Sequence, residues 1–268
     1  MNIDEVLVLF DEEMREHPPA EARTKFERVD PVVRAIGKYC MVLFSRLSES
    51  NARAIIARET EFFRGIRREV EWKVYGHDRP ANLGDLLKEA GYLPDPTETV
   101  MVLDLERTLA TGDVPKSVEI RRVEDEEGLR TASAVSREAF GEGKGWDIDE
   151  AWLRDPAVSL FVGYLDGEPV TAGRLEMPAG RSFASIWGGG TRPADRGRGM
   201  YRSLVVHRAR VARERGYRYL TVDALETSRP ILERMGFVPL DASTGWVWKP
   251  DPTGAGHATG PREEEGHP

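Results

Sequence analysis

The feature that most constrains this chain is an internal repeat. Residues 86–94, LLKEAGYLP, and residues 231–239, ILERMGFVP, match class for class: two apolar residues, two charged, one apolar, Gly, aromatic, apolar, Pro. Each copy reads as an amphipathic helix closed by a Gly, which adopts the left-handed closing conformation at little cost. An aromatic residue then opens a strand that Pro interrupts early. A strand precedes each helix, VEWKVY at 70–75 and YRYLTV at 217–222, and another follows it, TVMVLDL at 99–105 and TGWVWK at 244–249. A 268-residue chain built on such a duplicated unit divides into two compact halves. We place them at 1–105 and 118–249, joined by the polar stretch 106–117. The tail, 250–268, holds four Pro and four Gly and no large apolar residue, so it reads as disordered.

Periodicity fills in the halves. In the first, strands near 33–36 and 39–45 precede a helix from about Ser48 to Ile66, with Ile55, Ile56, Phe62, Phe63 and Ile66 on one stripe. In the second, a strand at 118–123 leads to helices near 125–139 and 148–154. Three strands follow, SLFVGYLDG, PVTAGRLEM and SFASIWGGG, and then a long helix at 199–215. Asp166-Gly167 is a hairpin turn between the first two of these strands. Strands that mostly neighbour in sequence predict an α+β class, with a mixed, mostly antiparallel sheet flanked by helices in each half.

Composition narrows the function classes. The net charge of -8 argues against nucleic acid and favours a cationic partner. The single cysteine, Cys40, lies in the apolar run YCMVLF, which excludes a disulfide within the chain and reads as core. The start MNIDEVLVLFDEEM is acidic with only a short apolar run, unlike a signal peptide, and no stretch is long enough to span a membrane. Five scattered histidines offer no metal-ligand spacing. These features predict a soluble cytoplasmic protein with no bound metal, no membrane contact and no nucleic-acid partner; they leave its oligomeric state open.

One segment contradicts the acidic average. Between Arg192 and Arg218 there are nine arginines against two carboxylates, Asp195 and Glu214. Here a strand runs through Gly188-Gly189-Gly190 into the loop TRPADRGRGM and on into the long helix. Positive charge around a Gly-containing turn at a helix N-terminus suits an anion, because free N–H groups and the helix dipole point at it. A Walker loop is excluded, since no Gly-Lys-Ser/Thr follows. A dinucleotide fingerprint is incomplete, since Arg202 stands where its third Gly belongs.

The segment resembles the acetyl-CoA pyrophosphate loop of the GNAT N-acetyltransferase superfamily, Arg/Gln-x-x-Gly-x-Gly/Ala. Arg196, Gly197, Arg198, Gly199 and Met200 fit that pattern, with Pro193 and a strand before it, Leu204 on the helix after it, and ERMGF at 233–237 as the closing helix and strand. The resemblance covers roughly 118–249. With the repeat, it implies two GNAT-like domains in tandem: a degenerate first copy, whose LFSRLSES lacks a Gly-rich turn, and an acetyl-CoA-binding second copy. The first copy would form an interface or complete the substrate cleft. Two positions depart from the pattern. Tyr201 stands where the last Gly/Ala falls, so its side chain must point away from the phosphates. Leu232 stands where many members carry a Tyr that protonates the leaving thiolate.

The resemblance further implies direct attack of an amine, on a small molecule or a peptide, on the acetyl thioester. A backbone N–H in the Gly190–Thr191 region would polarise the carbonyl. The strand SFASIWGGG carries no carboxylate, so the general base is sought elsewhere: Asp223 first, at the end of YRYLTVD, then Glu176 on the preceding strand. Glu226, Trp146 in the Gly-punctuated loop 141–149, and Trp187 are candidate substrate contacts. Trp246 and Trp248 on the last strand, and His207 on the long helix, read as packing residues. Leu232 and the missing strand carboxylate leave an alternative standing, a catalytically degenerate acyl-CoA-binding sensor or scaffold.

Overall fold

The computed structural model describes residues 1–106, 118–141 and 149–250. Most of the 106–117 linker, the segment 142–148 with Trp146, and the tail from 251 onward lie outside these described residues.

The chain begins with a helix, α1 (Ile3–Phe10), capped by Asn2 and continued by a π-helical turn, Asp11–Glu16. Strands β1 (Lys25–Val29), β2 (Val32–Ile36) and β3 (Met41–Ser45) follow, then α2 (Ala52–Gly65), β4 (Val70–Tyr75) and α3 (Leu83–Glu89). The short β5 (Leu93–Pro94) and β6 (Glu98–Asp104) end the first half. The second half runs β7 (Val118–Arg122), α4 (Glu126–Phe140), β8 (Val158–Leu165), β9 (Glu168–Glu176) and β10 (Phe183–Thr191), then α5 (Met200–Glu214), β11 (Tyr219–Ala224), α6 (Arg229–Arg234) and β12 (Val238–Trp248). The elements read from the sequence are present, and α1 and β1 are added to them. The predicted helix at 148–154 is a single 3-10 turn, Glu150–Leu153.

Both halves share one mixed sheet, ordered β1-β2-β3-β4-β12-β6-β11-β10-β9-β8-β7, with β5 alongside β12. Two separate sheets were the sequence expectation; the structure joins them because the halves exchange their last strands. β12 pairs antiparallel with β4 of the first half (Tyr75↔Ser243 to Val70↔Trp248), and β6 pairs antiparallel with β11 of the second (Tyr219↔Asp104 to Ala224↔Thr99). The two exchanged strands also pair with each other. The duplicated helix-Gly-aromatic units therefore flank a pseudo-symmetric centre. Pro acts differently in each copy: Pro94 ends β5 after two residues, whereas β12 passes Pro239 through a register shift.

Residues facing each other across paired strands share a face. On one face α2 and α3 pack on Trp72, Val70 and Trp248, and α5 and α6 pack on Leu175, Ala184, Ile186 and Leu220. On the opposite face α1 covers Tyr75, Val100, Val102 and Phe183, and α4 covers Leu160, Val162 and Ala172. Between α1 and α4 the described residues leave that face open to a cavity.

Candidate active site

The loop before α5 has the geometry expected of an anion cradle. Gly197 and Gly199 have φ of 77° and 79°, in the left-handed region that favours glycine. Gly199 is the N-cap of α5, and a Cβ on Gly197 would meet nothing within 4 Å. The first N–H groups of a helix lack intrahelical partners, so those from Met200 onward face this open turn. The loop is braced from inside. Arg196 donates to Thr191 O (3.2 Å) and Ala139 O (2.8 Å), and Asp195 pairs with both Arg192 and Arg198 at 3.0 Å. Arg196 thus shapes the turn with its side chain rather than reaching out of it. Tyr201 turns inward: its ring lies 3.0 Å from where a Cβ on Gly189 would stand. Its bulk therefore stays clear of the cradle.

Beside the cradle the sheet opens. β10 runs parallel to β11 only from Phe183↔Tyr219 to Ser185↔Thr221, then continues to Thr191 without a β11 partner. On its other side a bulge interrupts the pairing with β9 between Trp187 and Gly190. Arg192 N–H donates to Val170 O on β9 (3.0 Å). Successive N–H groups along a strand alternate in direction, so that of Thr191 faces the gap beside β11. Thr191 is otherwise tied in: its hydroxyl bonds Thr171 Oγ1 (3.1 Å), which in turn donates to Gly190 O (2.7 Å). Gly190 packs so closely on α4 that a Cβ would stand 2.8 Å from Ala139 and Phe140.

Arg208 holds the bulge from below. It lies on α5, 1 % exposed, and its Nη1 donates to Arg174 O on β9 (3.0 Å) and Trp187 O on β10 (3.4 Å). Among the described residues its Nη2 is buried without a hydrogen-bond partner, and burial pushes the guanidinium down to about 10. Gly173 and Gly189 make room for it, since a Cβ on either would come within 3.0 Å of its guanidinium nitrogens.

On the open face, Glu176 faces Ser185 and Arg174 faces Trp187 across β9 and β10, while Ser185 faces Thr221 across β10 and β11. Asp223 follows two residues on, on the same face. These side chains line a cavity of about 770 Å³, whose other walls come from the first half: Met14, Phe26, Tyr39, Met41, Leu43, Glu71, Lys73, Tyr75 and Glu98. The size suits a small organic ligand. Glu176 contacts Arg174 at 2.8 Å, and burial pushes its carboxyl above the ordinary range against the opposing pull of Arg174. The Arg174 guanidinium stacks over Trp152 (4.7 Å) and approaches Trp187 (6.0 Å). Asp223 is paired in turn with Lys73 at 3.0 Å, which also holds Glu98 at 3.1 Å. Burial likewise raises Glu71 and Glu21.

Of the residues singled out in the sequence, Glu176, Asp223 and Trp187 meet in this cavity. Glu226 does not line it; its side chain is 82 % exposed and contacts Arg229 at 4.0 Å. Leu232 is fully buried in the core beneath α5, so no proton donor stands at that position. His207 packs edge-on against Phe161 (4.9 Å), and Trp248 lies in the core of the first half with Trp246 against it. Sequence reasoning missed Arg208, one of nine arginines with no local mark, and the first half's share of the cavity, which depends on the exchanged strands. Among the described residues no group of His, Cys, Asp or Glu is placed to hold a metal ion, and no helix is long and apolar enough to cross a membrane.

Comparison with known proteins agrees with this geometry. Residues 124–237 match the family model described as Acetyltransferase (GNAT) family. No curated protein matches the chain. Among solved structures, a GCN5-related N-acetyltransferase from Kribbella flavida superposes with a TM-score of 0.66 at 16% identity, covering 93% of this chain and 95% of that one. A tandem GNAT protein from the clavulanic acid biosynthesis pathway, solved without acetyl-CoA, gives 0.60 at 18% identity, covering 94% and 89%. A functionally unknown conserved protein from Staphylococcus epidermidis gives 0.63 at 14% identity, covering 90% and 98%. At these identities the likeness is one of fold. Residues 124–237 thus match the GNAT family, and along nearly its whole length the chain shares the fold of tandem and GCN5-related structures.

Proposed function

We propose that the chain transfers an acetyl group from acetyl-CoA to a primary amine bound in the cavity between its halves, with Glu176 as general base. One juxtaposition carries this reading: the Gly197–Gly199 cradle, the gap between β10 and β11, and the carboxylate of Glu176 lie in succession around a single strand, β10. The cradle, with left-handed glycines and room at Gly197, fits a pyrophosphate, and the gap fits an extended arm. When bound there, acetyl-CoA supplies an activated acyl carbon and a thiolate leaving group.

The protein's own residues do the rest. The residues that would hold the phosphates are Gly197, Arg198, Gly199, Met200 and Tyr201, chiefly through backbone N–H groups, with Arg196 bracing the turn. Thr191 N–H, beside Gly190, faces the gap and would bind the extended arm. It lies six residues along β10 from Ser185, which Glu176 faces, so polarisation of an acyl oxygen near Glu176 falls to N–H groups of the bulge between Trp187 and Gly190. An alkylamine with a pKa near 10.4 is neutral about once in 2,500 molecules at pH 7, a handicap of roughly 4.6 kcal/mol. Glu176 offsets it, because a partly buried carboxylate with a raised pKa accepts the ammonium proton more readily than an ordinary one. Glu176 sits against Arg174 at 2.8 Å and Asp223 against Lys73 at 3.0 Å; because burial outweighs the cation at Glu176, we assign proton acceptance to Glu176 and orientation of the acceptor to Asp223. The new C–N bond forms as the C–S bond breaks. The amine proton passes to Glu176, and the thiolate takes its proton from solvent, since Leu232 has none to give.

Mixing the full chain with acetyl-CoA and a panel of amines, and following free thiol, tests the proposal. Thiol release that requires an amine supports it. Tight acetyl-CoA binding with no thiol release across the panel favours the second reading, an acyl-CoA-binding sensor, which the buried Leu232 supports.

A further inference from the structure

The cavity has two kinds of wall. Around Glu176 and Asp223 it is lined by ionised groups, whereas the first half offers Met14, Phe26, Met41 and Leu43, all partly exposed to the cavity. The rim is apolar as well. Tyr39 is 68 % exposed, Leu225 46 % and Trp187 40 %, and all three line this one cavity. Exposed large apolar side chains that converge on a concave site mark a place where a ligand's apolar surface is taken from water. The charge pattern says where the ligand's own charge belongs. Among the described residues eight carboxylates line the cavity, Glu21, Glu71, Glu98, Glu176 and Asp223 among them, against the five cations Arg15, Arg23, Lys38, Lys73 and Arg174, so its negative charge is incompletely matched. The position between Asp223 and Glu98 is already filled by the Lys73 ammonium, at 3.0 Å and 3.1 Å. A second ammonium on the acceptor would meet Lys73 there.

We infer that the acceptor is an amphipathic monoamine: a primary amine seated at Glu176, on an apolar chain or ring that lies against Met14, Phe26, Met41 and Leu43. This rests on the acetyl-transfer reading above for the position of the amine. The first half would then set specificity rather than serve as a remnant. A polyhydroxylated amine would leave its hydroxyls unpaired against that wall, which is costly, and a polyamine would bring its second charge to Lys73.

The test is a series of linear alkylamines from butylamine to octylamine, with spermidine and a polyhydroxylated aminosugar alongside. Two readouts are taken on the full chain: kcat/KM for thiol release, and Kd from quenching of tryptophan fluorescence. Both should improve about fourfold per added methylene until the wall is covered. Tyr39→Ser, at an exposed position that folding tolerates, and Leu43→Asn should flatten the slope while acetyl-CoA affinity stays within twofold. A flat or falling series in both readouts, or spermidine preferred over hexylamine, overturns the inference even if acetyl transfer is observed. A binding slope with no turnover of any amine upholds it and refutes the catalytic reading instead.

Discussion

Arg208 is a buried cation with no carboxylate beside it among the described residues, and replacing it with Met separates its cost from its use. Burial lowers its pKa from 12.5 to about 10, which corresponds to about 3 kcal/mol against the charged form. On the other side stand hydrogen bonds from a charged donor to Arg174 O at 3.0 Å and to Trp187 O at 3.4 Å, together worth about 3–5 kcal/mol at most, the second being long. Met is near in volume and removes both terms. The net change should stay within about 2 kcal/mol, or less than about 8 °C in Tm for a protein of this size. Turnover should respond more strongly. Without Arg208 the bulge between Trp187 and Gly190 loses the group that joins β9 to β10 beneath it, and a misplacement of about 1 Å at a reacting group costs about a hundredfold. The expected result is a folded Arg208→Met protein with kcat down about 10- to 100-fold and KM for acetyl-CoA little changed. Arg208→Lys, which keeps the charge but not the planar fork, should fall between. A folded Arg208→Met protein with wild-type kcat would refute the positioning role.

Other consequences follow from the same geometry. Glu176→Gln should lower turnover about 10²- to 10⁴-fold with acetyl-CoA binding retained. The wild-type rate should rise with pH through a pKa above the ordinary Glu range, a limb that the variant's pH–rate profile should lack. His77 donates to Asp11 (2.6 Å) and Asp241 (2.5 Å), which tie the π-helical turn after α1 and β12 to the end of β4 and raise its pKa to about 9. A folded-state pKa raised above the unfolded value of about 6.5 stabilises fully below that value and is lost as pH rises through about 9. After discounting for its partial exposure, the wild-type advantage over His77→Gln should be about 1–2 kcal/mol at pH 6 and vanish near pH 10, read from Tm against pH. Because β12 completes the first half's core and β6 completes the second's, residues 1–106 alone should show no cooperative unfolding transition, whereas the full chain should. A fragment that melts cooperatively would contradict the exchange.

Local signals carried most of the elements. Asp166 and Gly167, with φ of 52° and 87°, make the hairpin that the Asp-Gly pair predicts, and VEWKVY forms β4 at its expected bounds. The loop at 196–201 was readable because each of its requirements, glycines, a preceding strand and a following helix, is local. The strand exchange was not. Nothing in TGWVWK or TVMVLDL says which half's strand it will pair with, since either neighbour offers the same antiparallel edge. That one non-local choice decides that Lys73 meets Asp223, the first choice of base from sequence. Arg208 was hidden for a similar reason: its meaning lies in Gly173 and Gly189, far from it in sequence and opposite it in space.

The most direct test of the account is a calorimetric titration of the full chain with acetyl-CoA, for the wild type and for Gly199→Val. A single phosphate cradle, in the second half only, predicts one site per chain in the wild type. Val at a φ of 79° cannot hold that turn without strain, so the variant should stay folded and lose the site. Two sites per chain, no binding, or wild-type affinity in Gly199→Val would contradict it.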